Sequence, residues 1–206
     1  MNSDLVVVVA DRGIEQAILG LLQRPEAIGI RQLQGVEFPA FHGQDGGTYA
    51  RGHELARAYL NTHRHALVVF DADWEGRPTD DVAQMENDVE GRLGEDWGDR
   101  GRCVVIQPEL EVWVWSDSPH VASELGWESL HELRAWLESK GLWSQERHKP
   151  DDPKKAYIEA IREKRKPKSN ATFGSLARKV SVNRCQDRAF LRLRGILREW
   201  FGVVSS

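Results

Sequence analysis

Ala66-Leu67-Val68-Val69-Phe70-Asp71-Ala72-Asp73-Trp74-Glu75-Gly76 is the stretch on which the reading of this chain turns. Five consecutive apolar residues suit a strand buried on both faces, as in a parallel sheet covered by helices. The strand ends abruptly in acids. Upstream, Leu5-Val6-Val7-Val8-Val9-Ala10 is a second run of this kind, and it ends in Asp11. Downstream, Arg102 to Ile106 forms a further strand, followed by Pro108-Glu109-Leu110-Glu111-Val112-Trp113-Val114-Trp115. The period of that last segment leaves strand and helix open.

Helical patterns lie between the strands. Ile14, Ala17, Ile18, Leu21 and Leu22 mark one helix, ended by Pro25. Tyr49–Thr62 and Asp80–Leu93 mark two more, and Ile28–Phe38 reads as another strand. Phe41–Thr48, with its glycines, reads as a loop. Alternating strands and helices up to residue 117 predict βαβ units around a mostly parallel sheet. Beyond Asp117 the strand signals fade. Ser129–Lys140, Pro153–Lys164, Thr172–Val180 and Asp187–Phe201 read as helices. The expected organisation is an α/β domain over 1–117 and a helical C-terminal region over 118–206, basic from about residue 150.

In a doubly wound sheet, ligands bind beyond the C-terminal strand ends. The acids there would be Asp11 after the first strand, Asp71 and Asp73 after the central one, and Glu109 and Glu111 after the last. Clustered carboxylates repel unless protons or a cation compensate. Mg²⁺, or Mn²⁺ in its place, suits such oxygen donors, and it commonly bridges carboxylates and phosphate. Singly, each acid also fits an ordinary helix cap or turn.

Asp71-Ala72-Asp73-Trp74-Glu75-Gly76, directly after a buried strand, resembles the Asp-x-Asp signature of the TOPRIM (topoisomerase–primase) domain, over roughly residues 4–117. The resemblance implies a Rossmann-like fold and Mg²⁺-supported phosphodiester chemistry. It makes Asp71 and Asp73 metal ligands and Glu75 a further ligand or outer group. Asp11 takes the place of the family's first-strand glutamate with a shorter reach, and Glu15, one turn on, could compensate. Glu109-Leu110-Glu111-Val112-Trp113 looks like a segment of small TOPRIM-like proteins of bacterial defence islands. The whole chain, including Asp152-Pro153-Lys154-Lys155, is similar to a small component of the methylation-associated phage-defence system. Glu111 is the stronger metal candidate of its pair, with Glu109 second. Catalysis would fall to Asp11, Asp71, Asp73 and Glu111.

Charge is unevenly divided. Residues 1–149 carry 14 basic and 26 acidic side chains, a net −12; residues 150–206 carry 14 and 6, a net +8. A basic tail suits a polyanion, and it also suits docking onto the acidic body. Lys164, Arg165, Lys166 and Lys168, with Arg188 and Arg192 on the last helix, are the candidate nucleic-acid contacts; a solvated or protein-docking face is the alternative. Eight tryptophans fit core or interface packing better than base stacking.

Several classes are disfavoured. With 29% charged residues and no apolar run near 18 residues, the chain reads as soluble, with no membrane partner. Met1–Asp4 shows no signal-peptide pattern, so a cytoplasmic setting is expected. Cys103 and Cys185 make neither a zinc motif nor a disulfide framework. Gly43-Gln44-Asp45-Gly46-Gly47 lacks the Lys-Ser/Thr of a phosphate-binding Walker loop. The length is short for a topoisomerase gate. Two functions follow: a Mg²⁺-dependent nuclease or related phosphoryl-transfer enzyme in anti-phage defence, or a non-catalytic scaffold or sensor bound to other defence-system proteins.

Overall fold

The structure, a computed structural model, describes residues 2–40, 43–183 and 185–203. Four strands form one parallel sheet: β1 (Ser3–Val9), β2 (Val36–Glu37), β3 (His63–Asp71) and β4 (Gly101–Ile106), in the order β2-β1-β3-β4. The central strands β1 and β3 are buried along almost their whole length, which explains their uninterrupted Val/Leu runs. Helices α1 (Arg12–Leu22), α2 (Pro25–Ile28), α3 (Gln44–Arg57) and α4 (Val82–Trp97) lie between the strands, and α5 (Pro119–Leu125), α6 (Leu130–Ser139), α7 (Pro153–Glu163), α8 (Ala171–Lys179) and α9 (Arg188–Phe201) follow. The fold is therefore α/β, a parallel sheet flanked by helices and followed by a helical C-terminal segment.

Local chemistry accounts for the departures from the sequence pattern. The expected strand Ile28–Phe38 shrinks to Val36–Glu37. Pro25 starts the short helix α2, and Gly29, in the left-handed region at φ 79°, stops it. The third helix begins at Gln44 rather than Tyr49. Of its three glycines, Gly46 lies under the Trp74 indole, where a Cβ would sit 3.1 Å from the ring. Phe41, the start of the expected loop, lies outside the described residues. The Pro108–Trp115 segment is neither strand nor α-helix; it makes a 3₁₀ turn at Leu110–Trp113. Helix α5, opened by a Ser118 cap and Pro119, has too short an apolar pattern to stand out in the sequence.

Strand β4 is an edge, and side chains rather than a fifth strand satisfy it. Glu90 accepts the Cys103 N–H at 2.8 Å and Glu86 the Val105 N–H at 3.1 Å, while Arg192 donates to the Cys103 carbonyl at 2.9 Å. Helices α4 and α9 thus close an edge that would otherwise invite pairing with another chain. The C-terminal helices pack directly on the rest. Helix α8 lies so close to α1 that a Cβ on Gly20 would stand 2.6 Å from the Gly174 carbonyl oxygen. Arg24 donates to the carbonyls of Ala177 and Val180, and Arg198 to that of Ile28. Among the described residues, no helix is long and apolar enough to cross a membrane.

Candidate metal centre

Parallel pairing decides where the acids go. Asp71 pairs with Ile106, so β3 and β4 end side by side. The chains leaving them stay joined: the Ala72 N–H donates to the Ile106 carbonyl at 2.7 Å and the Asp73 N–H to that of Pro108 at 3.2 Å. The 3₁₀ turn then folds Glu109 and Glu111 back towards Asp71. One carboxylate oxygen from each of Asp71, Glu109 and Glu111 lies within 4.8 Å of the others. Asp71 is 7% exposed and Glu111 5%.

The electrostatics match this crowding. Burial pushes the Asp71 carboxyl well above the usual carboxylate range, and the charges of Asp45, Asp11 and Glu111 push it further; the Leu110 backbone N–H opposes them. Burial also raises Glu111, with Glu109 adding to the effect and Lys154 and Lys168 offsetting it. Asp71 Oδ1 is buried without a hydrogen-bond partner among the described residues. An orphaned buried carboxylate oxygen is costly unless a ligand completes it.

No protein-family model matches the sequence, and no curated protein matches it. The structure is similar to the C-terminal region of the Burkholderia pseudomallei OLD protein. That alignment covers 97% of this chain and 98% of the other at 14% identity, with a TM-score of 0.46. The likeness assigns no chemistry to this chain.

The structure separates the expected ligands. Asp73 does not join Asp71. Alternation would put both on one face, but β3 ends at Asp71 and the chain bends, so the Asp73 carboxylate turns outward to Arg77 at 2.8 Å. Glu15 pairs with Arg12 at 2.8 Å instead of compensating for Asp11. Glu75 is exposed. Asp11 caps α1 by accepting the Ile14 N–H at 2.9 Å, yet its charge still reaches Asp71 and Asp45. Glu109 lies beside Asp71 and is ion-paired with Lys154.

The basic candidates divide in the same way. Arg188 and Arg192 bind Glu86 and Glu90 at 2.6 and 2.7 Å, so they serve the sheet edge rather than a free surface. Lys164 pairs with Glu132 at 3.0 Å, and Lys166 donates to the Glu124 carbonyl at 2.8 Å. Arg165 is exposed. Lys168 comes within 4.0 Å of Glu111. Two groups beside the acids were not singled out from the sequence. Lys154 follows the helix-opening Pro153, and Asp45 sits in the glycine-rich stretch at the start of α3.

The donor set fits a hard divalent cation. With bonds of about 2.1 Å, an octahedral Mg²⁺ holds its ligand oxygens roughly 3–4.2 Å apart. The observed spacing, up to 4.8 Å, needs only a small side-chain adjustment. A cavity of about 740 Å³ adjoins the other side of the 3₁₀ turn, lined by Leu110, Val112 and Trp113 but by none of these acids. It belongs to the packing of α8 and the segment before α9, and we place no chemistry in it.

Proposed function

We propose that this protein is a Mg²⁺- or Mn²⁺-dependent phosphoryl-transfer enzyme that cuts phosphodiester bonds in nucleic acid. What supports the reading is Asp71: a carboxylate buried at the end of the central strand, lacking a partner on Oδ1, and crowded by Glu109 and Glu111. Asp71 and Glu111 would hold the ion, Glu109 would join them on parting from Lys154, and Asp11 would add charge from the first strand. A divalent ion bound there supplies Lewis acidity towards a phosphate oxygen and lowers the pKa of water. The chain's own contribution is to fix Asp71 at the end of β3 and to bring Glu109 and Glu111 to it on the 3₁₀ turn after β4. Lys154 and Lys168, reaching the rim of the acidic cluster from the C-terminal segment, would face the phosphate's charge.

The TOPRIM-like relation and a place in phage defence belong to this proposal. One observation favours the non-catalytic alternative: Asp73 and Glu15 are tied to arginines, leaving a smaller acid set than a TOPRIM enzyme would use. Incubating the full chain with plasmid, single-stranded DNA and tRNA in Mg²⁺ or Mn²⁺ separates the two. Cleavage abolished by Asp71→Asn supports the enzyme; cleavage that survives it removes Asp71 from the chemistry, and no cleavage of any substrate favours the scaffold.

A further inference from the structure

Asp45 is the acid that the reading above leaves unused. It stands in the first turn of α3, and its Oδ1 accepts the backbone N–H of Asp71 at 2.8 Å. Burial raises its pKa, against the Asp71 hydrogen bond, and the charges of Asp11 and Glu109 raise it further. The effect is mutual: Asp45 is the foremost charge acting on Asp71, ahead of Asp11 and Glu111.

Away from half-buried Asp45 and from Asp71, the protein supplies close cations to its buried acids. Asp4 has Arg31 at 2.6 Å, and Glu86 has Arg188 and Arg192; within the site, Glu111 has only Lys168 at 4.0 Å. Asp45 and Asp71, joined by that hydrogen bond, have no direct ion-pair partner among the described residues; the Lys154 ammonium, paired with Glu109, acts on Asp71 only at longer range. Two neighbouring carboxylates without a cation are unstable unless protonated or bridged. The fold nevertheless holds Asp45 in place. Thr48 Oγ1 donates back to the Gln44 carbonyl at 2.6 Å, and Gly46 lies against Trp74, which packs in turn on Tyr49 and Phe70.

We propose that Asp45 is a fourth carboxylate of the cation site. It acts there by anchoring the Asp71 backbone and by carrying charge beside the Asp71 carboxylate. The site then extends from Glu109 and Glu111, through Asp71, to Asp45. This inference rests on the metal reading of Asp71. The missing cation opposite the Asp45–Asp71 pair, together with the orphaned Asp71 Oδ1, is what points to a ligand.

Titration of the full chain with Mn²⁺ alone, followed by calorimetry, tests it across wild type, Asp45→Asn, Asp45→Ala and Asp71→Asn. Asparagine keeps an oxygen for the Asp71 N–H and removes the charge. The expected result is a loss of Mn²⁺ affinity of tenfold or more in Asp45→Asn, with a melting temperature in EDTA equal to or above that of wild type. Asp45→Ala should lose the same affinity and also melt lower, since the Asp71 N–H then lacks its acceptor. Wild-type affinity in Asp45→Asn, with binding lost in Asp71→Asn, overturns the role of Asp45 and leaves the site standing. A lower melting point of Asp45→Asn in EDTA marks its charge as structural and also overturns the role. No Mn²⁺ binding by the wild type overturns the site and this inference together.

Discussion

Replacing Asp71 by asparagine should strengthen the metal-free protein and weaken the metal-loaded one. At a separation of 4.8 Å and an effective dielectric of about 20, each fully charged carboxylate pair costs about 3.5 kcal/mol. Much of that is already relieved, because Lys154 neutralises Glu109 and Asp71 takes up a proton readily. A net gain of about 1–2 kcal/mol remains for the asparagine variant in EDTA, roughly 3–6 °C for a chain of this size. The pH dependence has a definite sign. A carboxylate raised by folding contributes stability at low pH and loses it as pH rises through its folded pKa. The gap between variant and wild type in EDTA should therefore widen from pH 5 to pH 8. With Mn²⁺ at a hundred times its dissociation constant, the wild type gains about 2.7 kcal/mol and the variant little, so the order inverts. Thermal melts of both proteins with EDTA and with Mn²⁺ measure this directly. A variant that melts below wild type in EDTA, or that gains as much from Mn²⁺, refutes the reasoning.

Asp4 should show the opposite pH sign. The Arg31 hydrogen bonds hold its carboxyl below the usual range against the effect of burial, so its contribution persists above the ordinary carboxylate pKa and disappears as pH falls below about 4; urea denaturation of Asp4→Asn should show about 1–3 kcal/mol lost at pH 7 and a smaller loss at pH 3. Glu86→Ala leaves Arg188, Arg192 and the Val105 N–H without their shared acceptor, and should cost about 3–5 kcal/mol with faster hydrogen exchange along β4. If the protein binds nucleic acid through Lys154, Lys168 and their exposed neighbours, few phosphates are neutralised, and log K against log salt should have a slope of about −2 to −4. A much steeper slope would mean that the tail's paired arginines leave their acids to bind.

Most of the sheet is legible because strands buried on both faces carry continuous Val/Leu runs. Leu5–Ala10 and Ala66–Phe70 could hardly be anything else, and their ends located Asp11 and Asp71. Asp73, nominated by the Asp-x-Asp resemblance, lies past the end of β3, where the chain bends and its carboxylate turns to Arg77. Ile28–Phe38 misled because its apolar residues pack as a short helix and loop: Ile28, Ile30 and Leu33 are buried without forming a strand. Asp45 was invisible for a different reason. Its importance comes from a hydrogen bond to a residue 26 positions away, and a glycine-rich neighbourhood hides the helix that carries it. Glu109 and Glu111 could be nominated but not positioned, since their convergence on Asp71 depends on a 3₁₀ turn that no periodicity announces.

A division of charge along the sequence is not a division in space. The basic C-terminal stretch folds back on the acidic body: Arg188 and Arg192 serve Glu86 and Glu90, Lys164 serves Glu132, and Lys179 serves Glu124 at 2.6 Å. These pairs serve packing: Arg188 and Arg192 tie α9 to α4 at the sheet edge, and Lys164 and Lys179 tie the C-terminal helices to one another. This makes the remaining imbalance informative. Where Asp45 and Asp71 meet, burial and mutual repulsion raise both carboxyls, yet among the described residues no arginine or lysine forms a direct ion pair with either. Close pairing of Asp4 and Glu86 with arginines, beside an Asp45–Asp71 pair without a direct ion pair among the described residues, is the contrast on which the proposed cation site rests.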